Sequence, residues 1–458
     1  MAQKDIDMKN MTSGDPLRLI WSFAVPLLLG NLLQQTYNMM DAAIVGRFLG
    51  PMALAGVGAT SSVQFLVLGF CIGICAGFGI PFATFFGADR PDRMRRSIFN
   101  AAVMAVVASV VITVTVCILC GGIVRMLHIP DNIYGSAHTY LFIIFLGIPF
   151  TIFYNFLSSM MRAIGDSRTP FIFLAVSTVL NIILDLLFIV VLDRGVAGAA
   201  AATVMSQGTS AVLCFVYIRR HQPVIRLTKE DMVLTREDIV RHLVMSVPMG
   251  LQYSITAIGT MVMQTANNSL GDVYISAFTA GSRIKQLSMS PFDALATGVS
   301  VFCSQNLGAG NVKRAKEGMI KGLISGMAIG TVFGLILMRF GRVLSTLFIE
   351  DIPENTAILD ASGKYLFCLG IFGWAIAMLN ISRMSVQGLG YSGLAIFSGV
   401  IEMIARIVVA FAFVPLYGFT AICFSDQTAW VCADLYVFPL SLICIRKAAK
   451  RLGHDQPT

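Results

Sequence analysis

Long apolar stretches separated by short polar connections dominate the hydrophobic pattern of this chain. Each stretch reaches about twenty residues or more, which is enough for an α-helix to cross the hydrocarbon layer of a membrane. The pattern therefore predicts an all-α polytopic membrane protein with twelve transmembrane helices. These are placed at 16–46, 52–82, 95–121, 133–160, 169–191, 196–219, 241–268, 273–305, 315–340, 356–383, 392–414 and 418–446.

The composition agrees with a membrane protein. Of the 458 residues, 56% are hydrophobic and only 13% are charged, whereas an ordinary soluble domain has about 25% charged residues. The first ten residues are polar and lack the apolar core of a secretory signal. We therefore expect the first membrane helix to direct insertion into the cell inner (plasma) membrane.

The basic residues predict the orientation of the helices. Twenty-four of the 33 Lys and Arg residues fall at the two ends of the chain or in the even-numbered connections, six fall on the opposite side, and Arg283, Lys285 and Arg406 lie within helices. Cytoplasmic loops carry the excess of Lys and Arg, so both termini are predicted to be cytoplasmic. The net charge of +8 is explained by these loops, and no nucleic-acid partner is expected.

The chain repeats itself after its longest polar connection. Residues 22–30 (SFAVPLLLG) resemble 245–251 (MSVPMGL), the segment from Gly87 resembles that from Gly308, and the turn at Arg162 resembles that at Gln387. Each copy has six helices, an even number, which predicts two parallel six-helix repeats, or lobes. The predicted domains are an amino-terminal lobe at 1–219, a cytoplasmic connection at 220–240 and a carboxy-terminal lobe at 241–458. Duplicated bundles of this kind are typical of transporters.

Two polar residues interrupt the fifth apolar segment. Asn181 and Asp185 are four residues apart, so they lie on one face of the helix. A carboxylate in hydrocarbon is costly and marks an ion or proton path, although a structural hydrogen bond to another helix is the alternative. No Lys or Arg lies within one turn of Asp185. A partner for Asp185 is therefore expected from another part of the chain.

Asp41 and Thr203 are predicted to lie at a depth similar to that of Asp185. Asp41 is in the outward half of the first helix, Asp185 is past the midplane of the fifth, and Thr203 is roughly 10 Å below the outer end of the sixth, at 1.5 Å per residue. Together with Asn181 these residues supply hard oxygen ligands suited to Na⁺. Two close, desolvated carboxyl groups would equally hold a proton. The residues alone leave Na⁺ and H⁺ both open.

Several motifs in this order resemble the multidrug and toxin extrusion (MATE) family, and more narrowly its bacterial prokaryotic-type branch. They are the V-P-x-x-x-G of the first helix with its later Asp41, R-A-I-G-D-S-R-T-P at 162–170, N-x-x-x-D at 181–185, G-V-A-G-A-A-A-A-T at 195–203 and Q-N-L-G-A-G at 305–310. The resemblance covers almost the full length of the chain.

The resemblance implies a cation-coupled antiporter that exports amphipathic or cationic drugs and toxins by alternating access. It assigns cation binding to Asp41, Asn181, Asp185 and Thr203, which would be metal ligands if the coupling ion is Na⁺. It further assigns substrate binding to four residues of the amino-terminal lobe, for which ordinary interhelical hydrogen bonding is the alternative: Gln34, Tyr37, Asn155 and Tyr140. No cofactor is expected apart from Na⁺ or H⁺ as the coupling ion.

The carboxy-terminal lobe carries different polar residues. In this lobe the residue that corresponds to Asp185 is Ala410. The seventh helix contains Gln264 but no acidic residue. The coupling site is therefore expected in the first lobe only. Glu402 and Arg406 are spaced for mutual neutralisation. Asp293 is interpreted as either a contact for a cationic substrate or a partner of a basic residue. The ten cysteines are interpreted as packing residues. The rows of glycines at Gly69–Gly77 and Gly318–Gly334 are also interpreted as packing residues, with a sliding surface for alternating access as the alternative.

Other functions fit the sequence less well. A flippase of lipid-linked precursors from the same superfamily is the alternative, but it would need several basic residues in a large cavity. No His, Ser or metal constellation at depth supports an intramembrane enzyme, so no catalytic residue is predicted. A channel would need a charged ring. The expected partners are small, often cationic organic compounds and the lipid bilayer, and we expect a monomer.

Overall fold

The computed structural model describes residues 10–127 and 129–454. Within these residues the secondary structure is helical, with no β-strand. The prediction of an all-α membrane protein is therefore confirmed.

The first half of the described chain, up to the polar connection, contains eight α-helices. They are α1 (Pro16–Leu49), α2 (Pro51–Ala59), α3 (Ser61–Gly87), α4 (Pro91–Met126), α5 (Asp131–Leu146), α6 (Ile148–Ala163), α7 (Arg168–Asp185), followed by a π-helical turn at Leu186–Val191, and α8 (Gly195–His221). Two 3-10 turns, Pro223–Ile225 and Lys229–Asp231, lie in the connection.

The second half repeats this order with eight further helices. They are α9 (Arg236–Asn268), α10 (Asp272–Gly308), α11 (Val312–Ser345), α12 (Thr356–Ile371), preceded by a 3-10 turn at Pro353–Asn355, α13 (Gly373–Gly388), α14 (Ser392–Val408), followed by a π-helical turn at Val409–Phe413, α15 (Val414–Tyr417) and α16 (Phe419–His454).

Each of the twelve predicted spans has a helical counterpart. Eight helices are long and apolar enough to cross a membrane, and two bent pairs, α5 with α6 and α12 with α13, bring the number to ten; their bends are 44° and 55°. The remaining two spans are α9 and α10, of 33 and 37 residues. The amide and charged side chains of α9 and α10 lower the mean hydropathy of these two helices, so they are not among the ten.

The backbone itself repeats where the sequence repeats. Gly50 and Gly271 precede α2 and α10 with φ of 87° and 102°. Gly195 and Gly418 follow the two π-helical turns with φ of 58° and 55°. L-residues with a side chain rarely adopt this left-handed region, so glycine is retained at each of these turns. The duplication therefore extends to the details of the turns.

Contacts between residues divide the chain into two compact units. The first unit contains Leu29–Gly250, and the second contains Met11–Leu28 together with the chain from Leu251 onward. The start of α1 belongs to the second unit, where the Trp21 indole donates to Ser325 Oγ at 3.0 Å. The start of α9 belongs to the first unit, where His242 Nε2 and Ser97 Oγ are 2.9 Å apart. The two compact units therefore do not coincide with the two sequence repeats, because the starts of α1 and α9 each belong to the unit formed by the other repeat.

The polar connection between the repeats docks on α4 of the first unit. The Asn100 side chain donates to the Val233 carbonyl and accepts from the Thr235 amide, both at 2.9 Å. Asp231 caps its 3-10 turn and pairs with Arg95 at 3.1 Å. Burial favours the neutral acid, but the Thr228 amide and hydroxyl and the Arg95 charge outweigh it and hold the pKa of Asp231 below its ordinary value.

The glycine rows lie where helices approach closely. A Cβ on Gly330 would lie 2.3 Å from the Gly373 carbonyl oxygen, and one on Gly77 would lie 2.4 Å from Cα of Ser246. These distances are shorter than van der Waals contact, so only glycine fits. The interpretation of both rows as packing surfaces is supported by these contacts. All ten cysteines are free, and eight of them are buried, which fits their interpretation as small core residues.

Candidate cation site of the first unit

Asp185 ends α7 at the point where the helix changes to a π-helical turn. Its side chain is fully buried, and Asn181, one turn earlier, is 1% exposed. The Ser177 hydroxyl donates to the Ser206 carbonyl at 2.8 Å, which joins α7 to α8 on this face. Single π-helical turns frequently occur at functional sites, where they redirect a side chain.

Asp41 of α1 meets Asp185 directly. The two carboxyl groups lie within electrostatic and hydrogen-bonding range of each other, although they are 144 positions apart in the printed sequence. A carboxylate can only accept hydrogen bonds, so a direct hydrogen bond between the two groups would form only if one of them carried a proton. Oδ1 of Asp41 is buried and has no hydrogen-bond partner among the described residues. The partner that the sequence required for Asp185 is therefore Asp41.

Three further side chains complete the cluster. The Tyr37 hydroxyl donates to Thr203 Oγ1 at 3.0 Å, which links α1 to α8. Tyr140 of α5 is buried, and its hydroxyl lies within electrostatic range of Asp41, Tyr37 and Asp185. Tyr37 and Tyr140, which the resemblance assigned to substrate, thus lie beside the carboxylate pair.

An apolar shell surrounds these polar groups. It consists of Ile44, Val45, Val57, Ile144, Ile189, Ala199 and Ala200, packed with Tyr140. Such a shell excludes water, and an unpaired charge inside it is unfavourable unless a cation or proton neutralises it. The two carboxyl groups thus lie in surroundings that disfavour an unpaired negative charge.

Gln34 and Asn155 make their hydrogen bonds elsewhere. The Gln34 amide is 3.5 Å from Asn38 Oδ1, and the Asn155 amide donates to the Thr151 carbonyl at 2.8 Å, each within its own helix. Both side chains are half-buried. No hydrogen bond given by the described residues joins either of them to the carboxylate pair.

The cluster offers carboxyl, amide and hydroxyl oxygens. The described residues contain no group of three or more His, Cys, Asp or Glu side chains that could hold a metal ion, so the site differs from a zinc or di-iron centre. Hard oxygen donors together with the unpartnered Oδ1 of Asp41 suit Na⁺. The same two carboxyl groups can hold one proton between them.

The second unit contains a network of buried charges that the sequence analysis described only in part. Glu402 contacts Arg406 at 3.3 Å, as expected from their spacing, and also pairs with Arg383. Asp426 of α16 pairs with Arg406 at 3.2 Å and with Lys285 at 2.7 Å. Arg383, the last residue of the predicted span 356–383, lies inside α13 and is buried. Asp426 was missed, although an acid within an apolar segment was a visible signal.

A second missed acid is Asp434, also on α16. It is 4% exposed, and neither of its side-chain oxygens has a hydrogen-bond partner among the described residues. Arg383 and Glu402 are its charged neighbours. The counterpart of Asp185, by contrast, is apolar: Ala410 lies inside the second π-helical turn, and Val408 precedes that turn. The second unit thus has buried carboxylates but not in the arrangement of the first.

Comparison with known proteins gives a consistent result. The MatE family model matches residues 26–187 and 248–412. The chain is 32% identical to the probable multidrug resistance protein YpnP of Bacillus subtilis over 361 residues, which cover 78% of this chain and 80% of that protein. It is 26% identical to the multidrug export protein MepA of Staphylococcus saprophyticus, with 88% of each chain covered.

Solved structures show the same fold. A crystal structure of MATE in complex with MaL6 superimposes with a TM-score of 0.89 and 20% identity, and covers 97% of this chain and 100% of that one. The match of the family model to both halves of the chain agrees with the twelve-helix duplicated architecture. The chain therefore belongs to the MatE family of multidrug and toxin extrusion transporters.

Proposed function

We propose that this transporter is an antiporter that couples export of amphipathic or cationic drugs and toxins to entry of Na⁺ or H⁺. The observation that carries the proposal is the buried Asp41–Asp185 pair within its apolar shell. Asn181 and Thr203 complete the oxygen donor set, and Tyr37 positions Thr203. The drug-related names of YpnP and MepA support the substrate class.

The coupling follows from the cost of leaving the pair empty. Two ionised carboxylates in a dry site repel each other, so the pair retains a proton or accepts Na⁺ before the site closes. A cation that binds one conformation more tightly shifts the population toward it, and a substrate that prefers the other conformation competes with the cation. Alternation between two such conformations is how the exchange would proceed.

Substitution of the two acids tests the proposal. Asp41→Asn and Asp185→Asn keep the size of the side chain but remove its titratable oxygen, and each is expected to reduce uptake of ethidium into everted membrane vesicles by about tenfold or more. Asp193→Asn is the matched control, because Asp193 is exposed just after the same π-helical turn and its φ of 48° suits Asn. Full efflux by both site variants would refute the proposal.

The coupling ion is tested in proteoliposomes at fixed pH. An inward Na⁺ gradient without a pH gradient should drive efflux if Na⁺ is the coupling ion, and an inward H⁺ gradient without Na⁺ should drive it if H⁺ is. Either result is consistent with the carboxylate pair. Equal efflux without any cation gradient would contradict coupling.

We also propose that the protein is a monomer in the plasma membrane with both termini in the cytoplasm. The excess of Lys and Arg in the connections supports this orientation. Fusions of green fluorescent protein and of alkaline phosphatase to the carboxyl terminus should be fluorescent and inactive, respectively. The flippase alternative is disfavoured because Lys285, Arg383 and Arg406 are each paired with a carboxylate and so are not available to a diphosphate.

A further inference from the structure

The exposed face of helix α10 is polar. Beyond its first turn, the exposed residues from Ile275 to Gly308 are all polar: Ser276, Thr279, Arg283, Gln286 and Asp293. Most of these follow one another at three or four residues, the spacing of one helix face. In the middle of α11, by contrast, most exposed residues are apolar, among them Ile324, Val332 and Leu335. Lipid contacts are apolar, so the polarity of this exposed face favours contact with water over contact with hydrocarbon.

Asp293 supplies the negative charge of this face. Its Oδ1 accepts a hydrogen bond of 2.8 Å from Asn380 Nδ2 of α13. Asn380 is 9% exposed, so its amide is held in place and fixes the carboxylate in one orientation. The Asp293 side chain is itself exposed, while its neighbours Phe292 and Ala294 are buried. The carboxylate is therefore oriented and accessible at the same time.

No basic side chain in the described part of the chain forms a salt bridge with Asp293. Lys285 of the same helix is engaged by Asp426 at 2.7 Å. Arg383 of α13 lies within electrostatic range of Asp293, but its guanidinium bonds Glu402 and Ser398. Arg283 is ten residues away, roughly 15 Å along the helix, which is beyond the Debye length of about 8 Å at physiological salt. The carboxylate thus retains capacity for a cation from outside the chain.

We propose that Asp293, oriented by Asn380, binds the positively charged group of the transported compound and makes the second unit selective for amphipathic organic cations. This inference rests on the proposed export function and adds a recognition residue to it. The sequence left two roles open for Asp293, and the structure favours the substrate contact, because Lys285 and Arg383 are engaged by other carboxylates and Arg283 is distant. An ammonium or phosphonium group at this position would replace water at the Asp293 carboxylate.

Two ions of the same shape and opposite charge test the proposal on purified protein in detergent. Wild-type protein should bind tetraphenylphosphonium about tenfold or more tightly than tetraphenylborate, because an ion pair of about 1.4 kcal/mol changes affinity tenfold. Asp293→Asn and the smaller Asp293→Ser should each remove that preference. Asp293→Glu, which retains the charge, should keep it within about threefold.

Arg283→Gln is the matched control on the same exposed face. It should change the affinity for tetraphenylphosphonium by less than about twofold, because Arg283 is too distant to act on the bound ion. Size-exclusion chromatography and thermal unfolding check that each variant is folded.

The outcomes separate the two proposals. Folded Asp293→Asn or Asp293→Ser protein that still prefers the phosphonium overturns the inference and leaves the export function intact. Wild-type protein that binds phosphonium and borate equally overturns it as well, even if both neutral variants fail to fold. Wild-type protein that exports no organic cation in vesicles contradicts the proposed function itself.

Discussion

Buried and membrane-level carboxylates take three roles in this protein, and the neighbouring side chains determine which role each one has. Asp426 is held by Lys285, Arg406 and the Tyr365 hydroxyl, so it is a structural anion. Asp41 and Asp185 interact with each other. Asp293 has an amide partner and lies on an exposed face. Residue type and spacing identified three of these acids in advance but not their partners, because a partner from a distant helix depends on packing.

The charge network of the second unit predicts a strong effect of Glu402→Gln. The substitution leaves Arg383 and Arg406 without one of their carboxylates inside the helix bundle. Removal of one partner from a buried ion pair destabilises a protein by about 3–5 kcal/mol, so a large decrease in thermal stability in detergent is expected. Glu350→Gln is the control, because Glu350 is exposed outside the helices. Equal melting temperatures for both variants would contradict a structural role for the network.

Helices are the scale at which the sequence was most informative. Apolar length and loop charge located all twelve spans, because the cost of exposing polar backbone to lipid requires continuous helices. Two details required the structure. The bend between α5 and α6 falls at Gly147, two residues before Pro149, whereas the bend between α12 and α13 has no proline at the break. The close-packing role of the glycine rows is visible only in the structure, where Gly330 lies against the Gly373 backbone.

The contact between α11 and α13 predicts the effect of Gly330→Ala. The added Cβ would lie 2.3 Å from the Gly373 carbonyl oxygen, so the helices must separate. Overpacking of this kind destabilises by about 1–3 kcal/mol, which a lower melting temperature in detergent would report. Gly122→Ala in α4 is the control, since its Cβ meets nothing within 4 Å. There the better helix propensity of alanine should leave stability unchanged or raise it, and the opposite order of the two variants would refute close packing as the role of Gly330.

At the scale of the whole molecule, duplication of the fold is not accompanied by duplication of the site. The turns and π-helical segments recur in both halves. The acid that ends α7, however, corresponds to an apolar position in α14 or in the turn after it. One architecture thus supplies a carboxylate pair in the first unit and a charge network with a polar face in the second.

This asymmetry predicts that each chain binds one coupling cation. Equilibrium binding of radioactive ²²Na⁺, or proton release on Na⁺ addition, should saturate at about one equivalent per chain and should be lost in Asp41→Asn. Asp434→Asn should leave the stoichiometry unchanged, because Asp434 lies in the second unit. Saturation at two equivalents, reduced to one in Asp434→Asn, would show that the second unit also carries a coupling site.

The sequence by itself determined the fold class, the duplication and the helices on which the acidic residues lie. Each of these follows from a local periodicity: apolar length, loop charge and the rise of an α-helix. The tertiary structure decided which side chains meet. It paired Asp41 with Asp185, enclosed Arg383 with Glu402, and left Asp293 on an exposed polar face. These outcomes depend on the packing of helices that are far apart in the chain, and helical periodicity fixes only which face of a helix a residue lies on.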